Sequence, residues 1–439
     1  MEQNLITFPN KFRAVVCNMS SRMVCVSVSI CTGAELEQRS WSGISHLTER
    51  LIRSAVLSQV STVGAIVDTK TDFEHIEITV SCQPEALEFV IKTLSDCIFN
   101  FYPKQASLER EQFKISQEIE KENFNPMAQL FNLTQKYMYK GTSLSTTVLG
   151  TQKTIDSITI ANVRDFLANN LMPENVLVSV VGELTKIEKG NDVSKDFAME
   201  QVQAYLNKYF YIKTIEQNYK RRAKSTPSVV PAEPIFIAKN KPLNQTRFQI
   251  SFPTAPHESA GYKYAKILEK YLNLYLRVQL RETAGVYGIE TKVVQFKNNS
   301  HISISFAVDS ERAENIYELV VLALINLQKE HITKDEFDSL VNMYKTEVAL
   351  LHSLPTNLAT RYNKQLFLKD KLFDLDAELS QISALVYENF HTTCSATLDF
   401  STMVVIMLGR INKEFNPFKL TEGRWLWIQR VLYIPIQMV

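Results

Sequence analysis

Two kinds of hydrophobic pattern alternate along the chain. Short runs such as "MVCVSVSICTG" (23–33) and "NVLVSVVGEL" (175–184) read as strands, whereas apolar residues three or four apart mark helices. "HIEITVSCQPEALEFVIKTL" (75–94) combines both: an alternating strand, a short turn, then an acidic helix start with apolar residues at helical spacing. The same sequence of events returns in "HISISFAVDSERAENIYELV" (301–320).

That return is one of several. "SLEREQF" (107–113) is answered by "ITKDEFDSL" (332–340), "DSITIANVRDFL" (156–167) by "LSQISALVYENF" (379–390), and "NVLVSVVGEL" by "TMVVIMLGRI" (402–411). "MVCVSVSICTG" is answered by "RFQISFPTAP" (247–256), and all pairs keep their order at an offset of about 225 residues. A unit of that length is two copies of one fold, not a solenoid array. Each copy implies an α+β layer structure with helices on one face of a sheet. We therefore expect domains at 1–210 and 233–439, joined by a linker at 211–232 whose surroundings, "YIKTIEQNYKRRAKSTPSVVPAEP" (211–234), are polar, basic and proline-rich.

Composition narrows the function classes. With 439 residues the chain suits two domains, and 45% hydrophobic with 22% charged residues is ordinary for a soluble globular protein. A formal net charge of +1 gives no global field toward nucleic acid or an anionic membrane, and no apolar run reaches the roughly 18 residues of a membrane span. Six cysteines without a CxxC pair argue against a disulfide framework and for a reducing compartment. "MEQNLITFPN" has neither a secretory signal nor an Arg-rich transit peptide, so the expectation is cytoplasmic. The apolar tail "WLWIQRVLYIPIQMV" (425–439) could pack on its own domain or at a partner interface.

Candidate chemistry centres on "WSGISHLTERLI" (41–52). On a helix, Ile44, Leu47, Leu51 and Ala55 form an apolar stripe, and His46, Glu49, Arg50 and Arg53 fall opposite. His46, Glu49 and Arg50 sit at i, i+3 and i+4, so their side chains can converge. In an H-x-x-E-H helix two histidines bind zinc and the glutamate is the general base. A third ligand is available from "LEREQFKISQEIEKENFNP" (108–126), where Glu111, Ile115, Glu118 and Glu122 share one face. His75 and its counterpart His301 begin alternating strands and are expected to be satisfied sheet histidines, not ligands.

These motifs resemble the M16 family of insulinase, pitrilysin and the mitochondrial processing peptidases. "GISHLTER" stands at the family's G-x-x-H-x-x-E-H helix, and "EREQFKISQEI" resembles its E-R-E segment, which puts Glu118 at the third ligand. "TTVLGTQKTIDSIT" (146–159) resembles the L-G-t-x-x-x-I-x-s-I segment, and "LRETAGVYGI" (280–289) the L-R-E…Y segment of the second half. The resemblance implies two homologous α+β halves, and makes Arg281 and Tyr287 the groups that hold a substrate carbonyl. It also marks two departures. Arg281 and Tyr287 are one residue closer than is usual in the family, and Arg50 replaces the second histidine.

A guanidinium has no lone pair to donate and brings a positive charge to a dication's place. The expectation is a vestigial site, with His46 and Glu118 as former ligands, Glu49 as a former base, no bound cofactor, and Arg50 as a plug between Glu49 and Glu118. The family resemblance then implies a partner subunit of a dimer. It would supply Arg281 and Tyr287 to peptides cut by an H-x-x-E-H subunit. The alternatives are a structural or assembly protein like the core proteins of respiratory complex III, or an active peptidase with an unconventional metal site. The alpha subunit of the mitochondrial processing peptidase fits poorly, because a chain with 12 glycines shows no glycine-rich loop.

Overall fold

The computed structural model describes residues 2–188, 192–211, 227–256, 259–282, 286, 288–329, 332–372, 374–410 and 415–419. The apolar tail at 425–439 and most of the expected linker lie outside them. In chain order the first sequence half gives β1 (Glu2–Thr7), β2 (Arg13–Asn18), β3 (Val24–Ile30), α1 (Ile44–Val60), β4 (Ile66–Thr71), β5 (Ile76–Cys82) and α2 (Leu87–Phe99). It continues with α3 (Gln105–Phe124), α4 (Pro126–Met138), α5 (Gln152–Ser157), α6 (Ile160–Asn170), β6 (Val176–Gly182) and α7 (Lys195–Leu206). The second half gives β7 (Ile235–Asn240), β8 (Gln245–Pro253), α8 (Ala260–Arg277), β9 (Glu290–Gln295), β10 (Ser300–Asp309) and α9 (Ala313–Leu327). It ends with α10 (Lys334–Leu351), α11 (Pro355–Lys369), α12 (Leu375–Ser383), α13 (Tyr387–Thr397) and β11 (Val404–Gly409). Among the described residues no helix is long and apolar enough to cross a membrane.

The first sheet has the order β1-β2-β6-β3-β5-β4, and the second β7-β11-β8-β10-β9. The repeated strands of the sequence occupy matching places: β3 with β8, β5 with β10 and β6 with β11, which leaves β2 matched to β7 and β4 to β9. Within each sheet one neighbouring pair is parallel, β2 with β6 and β7 with β11. The α+β architecture expected from the repeat is therefore present twice.

The chain divides into two compact units, and these interleave in sequence. Residues 121–145 belong with the second unit and residues 349–374 with the first. In the first unit Val24, Val26, Val28 and Ile30 of β3 enter a core with Leu47, Leu51, Ile52 and Val56 of α1, Val90, Ile91 and Leu94 of α2, and Val202 of α7. Cys25, Ser27 and Ser29 point to the opposite face, as period-2 alternation requires, and yet they are not exposed. Helix α11 covers that face. Its Asn363 donates to the Ser27 carbonyl at 3.1 Å and accepts from Ser179 Oγ at 2.7 Å. Buried polar groups thus find partners, as they must.

In the second unit α8, α9, α10 and α13 pack on one face of the sheet, and α4 lies on β11 and β8. Its following residue Tyr139 meets His301 of β10, Oη to Nδ1, at 2.7 Å. The picture of helices on one face is thereby extended: in each unit a helix from the other sequence half lies on the second face. The alternating serines are the trace of that second, polar interface.

Candidate functional site: an ion-paired cluster on α1 and α3

Helix α1 is fixed at its start by a residue that sequence reading passed over. Gly43, at φ 94°, precedes the helix, and the Glu37 carboxylate accepts from the Gly43 N–H at 2.7 Å and the Ser45 N–H at 2.8 Å. These bonds satisfy donors that a helix start leaves open. Burial pushes the Glu37 pKa up to about 7 despite those hydrogen bonds. Behind the same turn, Gly150 of the "VLGT" segment is at φ 71°, and a Cβ there would lie 2.2 Å from the Ser42 carbonyl oxygen. That glycine is needed because two backbones touch.

From this anchored start, α1 aims His46, Glu49 and Arg50 toward α3, as the spacing predicts. His46 is wedged between two carboxylates. Its Nδ1 is 3.1 Å from Glu49 Oε2, and its Nε2 is 2.8 Å from Glu118 Oε2. Glu49 is 2% exposed and also accepts from Thr69 Oγ1 at 2.5 Å and Thr71 Oγ1 at 3.4 Å, both on β4. Arg50 places Nη2 2.8 Å from Glu118 Oε1, with Nε 3.7 Å from Glu111 Oε2. Glu111, 1% exposed, accepts from Ser54 Oγ at 3.0 Å and Lys114 Nζ at 2.8 Å.

The expected plug is corrected in one respect. Arg50 bridges Glu118 and Glu111, and the residue between Glu49 and Glu118 is His46. The reason is saturation: Glu49 is already claimed by His46 and two threonines, while Glu111 is buried and needs cations. Glu122, expected on the same face, is half-buried one turn beyond Glu118.

The electrostatics follow the geometry. Burial opposes a charge on His46, but the hydrogen bonds and charges of Glu118 and Glu49 outweigh it and push its pKa up to about 9. Glu118 is held below the usual carboxylate range, first by its bond to His46 and then, against burial, by the charges of His46 and Arg50. Glu111 is likewise lowered: burial acts against it, and Lys114, Ser54 and Arg50 prevail. The three carboxylates are therefore paired with the His46 imidazolium, the Arg50 guanidinium, the Lys114 ammonium and, on Glu111 at 3.5 Å, the Arg110 guanidinium.

This donor set does not fit a zinc ion. A ligating imidazole must offer one nitrogen lone pair, and here both ring nitrogens face carboxylate oxygens. Position 50 offers no lone pair at all. Among the described residues no group of three or more His, Cys, Asp or Glu is placed to hold a metal.

The two strand histidines singled out in the sequence are not members of this cluster. His75 precedes β5 with its Nδ1 3.1 Å from Asp72 Oδ1, in a turn where the same oxygen accepts the His75 N–H at 2.9 Å. His301 is fully buried in the second sheet, and burial lowers its pKa to about 3. Tyr287 and the side chain of Arg281 lie outside the described residues.

Comparison with known proteins supplies the family. Residues 13–152 match the family model for insulinase (peptidase family M16), and residues 157–344 match the model described as the peptidase M16 inactive domain. The chain belongs to the M16 peptidase family. It is 20% identical over 385 residues to the uncharacterized zinc protease YmxG of Bacillus subtilis, covering 84% of this chain and 89% of that one. It is 25% identical over 189 residues to mitochondrial cytochrome b-c1 complex subunit 1 of Caenorhabditis elegans, a match that spans 41% of this chain and 40% of that relative. Its fold matches the crystal structure of a peptidase M16 inactive domain from Pseudomonas fluorescens with a TM-score of 0.82 at 16% identity, over 94% of this chain and 98% of that one.

Proposed function

We propose that this chain is a non-catalytic M16 subunit that binds extended peptide and works with a second, H-x-x-E-H-bearing subunit of a dimer. The observation that carries this reading is the ion-paired cluster, with His46 between Glu49 and Glu118 and Arg50 on the remaining oxygen of Glu118. Without a lone pair at position 50 the first unit generates no metal-bound nucleophile of its own. Zinc is then the partner's cofactor, and this chain carries none.

Peptide binding has support beside the same residues. Strand β4 ends the first sheet, so one side of it carries unpaired backbone groups among the described residues. Its Thr69 and Thr71 touch Glu49, and Ile66 is 71% exposed. An extended peptide can add to such an edge through main-chain hydrogen bonds. Arg281 and Tyr287 would then serve as donors to a scissile carbonyl in the partner's site. Six free cysteines favour a reducing compartment such as the cytoplasm.

A second reading, as a structural or assembly subunit, is favoured by the similarity to a subunit of the cytochrome b-c1 complex. One experiment separates them: measure zinc content and peptide cleavage for the purified chain alone and with candidate H-x-x-E-H partners. Cleavage confined to the mixture and lost with Arg281→Ala supports the first reading. Stable complex formation without cleavage supports the second, and zinc-dependent turnover by the isolated chain overturns both.

A further inference from the structure

Among the described residues the two sheets differ at corresponding ends. In the first, the outer edge of β2 is closed by β1 in antiparallel register, from Glu2 opposite Asn18 to Thr7 opposite Arg13. In the second, no strand among the described residues pairs with the outer edge of β7, the match of β2. Ile235 and Lys241 send their N–H groups inward, to the carbonyls of Met403 and Gly409 at 2.9 and 3.0 Å. Alternation then turns the peptide groups of Phe236, Ala238 and Asn240 outward.

This edge is also charged on one side. Lys239 is level with Leu408, and Leu408 with Arg247, so Lys239 and Arg247 point to the same face of the sheet. Phe236 enters the core on the other face, which leaves Lys239 on the side of α4. Lys241, two residues on, shares that side. Lys136 of α4 adds to the group: burial, then Lys136 and Lys241, lower the Lys239 pKa. Lys239, Lys241 and Arg247 are half-buried, and among the described residues no carboxylate pairs with them or with Lys136. One exposed edge lysine suffices to deter aggregation. Four cations without counter-charge among the described residues go beyond that need and favour an anion. The other side of the strand is apolar, with Phe236 set edge-on to Phe415 and Phe418 at 5.8 and 6.5 Å.

We propose that the outer edge of β7 is a docking site for an extended segment of a partner protein in which acidic and apolar residues alternate. The acidic positions meet Lys239, Lys241 and Lys136, and the apolar positions extend the Phe236 face, as cross-strand pairing requires. A second copy of this chain is a poor occupant, because β7 against β7 would place the lysines of both copies on one seam. The site is in the second unit and is independent of the reading of the metal position.

The test uses the full chain and a fluorescein-labelled Glu-Val-Glu-Val-Glu-Val-Glu peptide, followed by fluorescence anisotropy and hydrogen exchange. Saturable binding is expected, with slowed exchange at 236–240. Affinity should fall at least tenfold in the Lys239→Glu, Lys241→Glu double variant at an unchanged thermal midpoint. A peptide with Lys in place of Glu should not bind. Absence of saturable binding, equal binding of the Lys peptide, or unchanged affinity in the double variant overturns the proposal. Binding that emerges after deletion of residues 420–439 overturns it in favour of the chain's own C terminus. A dimer that the peptide dissociates overturns it in favour of a second copy.

Discussion

Arg50 and Glu118 meet at 2.8 Å, Nη2 on Oε1, while the other oxygen of the same carboxylate is held by His46 at 2.8 Å. One carboxylate thus joins two cations, the imidazolium of His46 and the guanidinium of Arg50.

Removing Arg50 leaves Glu118 with one partner and Glu111 without one of its cations. Arg50→Ala should cost about 1–3 kcal/mol, the range for a charge-assisted hydrogen bond at a partly buried site. Thermal denaturation should show a midpoint lower by a few degrees. An unchanged midpoint would remove the stabilising role.

His46 sets an alkaline limit. Its folded pKa of about 9 lies above the ordinary value of 6.5, so its contribution is complete below about pH 6.5 and is lost as pH rises through 9. The contribution is on the order of 3 kcal/mol. Glu118 and Glu111 act at the other end: their lowered pKa values give stability above the ordinary carboxylate range that disappears on acidification. NMR titration of the His46 ring, with His46→Gln as control, measures the first effect; a midpoint near 6.5 would refute it.

Restoring the missing lone pair should restore metal. Arg50→His completes H-x-x-E-H with Glu118 in reach, and about one zinc per chain is expected against substoichiometric metal in the natural protein. Elemental analysis after dialysis reads this directly. Equal zinc in both proteins would mean that position 50 does not control the site.

Asn363 tests the exchanged helix. Its amide serves Ser27 and Ser179 across a buried interface, so Asn363→Ala should cost about 2–3 kcal/mol through stranded polar groups. Urea denaturation with the Asn363→Asp variant for comparison shows whether hydrogen bonding or volume is responsible.

The repeat, the strands and the α1 stripe were legible because period 2 and period 3.6 are written directly into the residue order. His46 and Glu49 were legible because helical spacing fixes which side chains share a face, and Glu118 was singled out from its own helix face only by the family resemblance. The second partner of Arg50 was not legible, since the choice between Glu49 and Glu111 depends on Thr69 and Thr71 of β4, distant in sequence. Glu37 escaped for a similar reason: no pattern announces a carboxylate that caps a helix start from six residues upstream. The placement of α4 and α11 was hidden because an amphipathic helix declares that it has a buried side, not which sheet receives it.

The interleaving of residues 121–145 and 349–374 bears on how the molecule can be dissected. Proteolytic cleavage in the segment joining the two halves would yield fragments that each lack a cover for one sheet face and carry a helix without its seat. Neither fragment would be expected to fold independently, and co-expressed fragments would be expected to reassociate. The repeated unit of sequence is half the chain; the compact unit of structure is not.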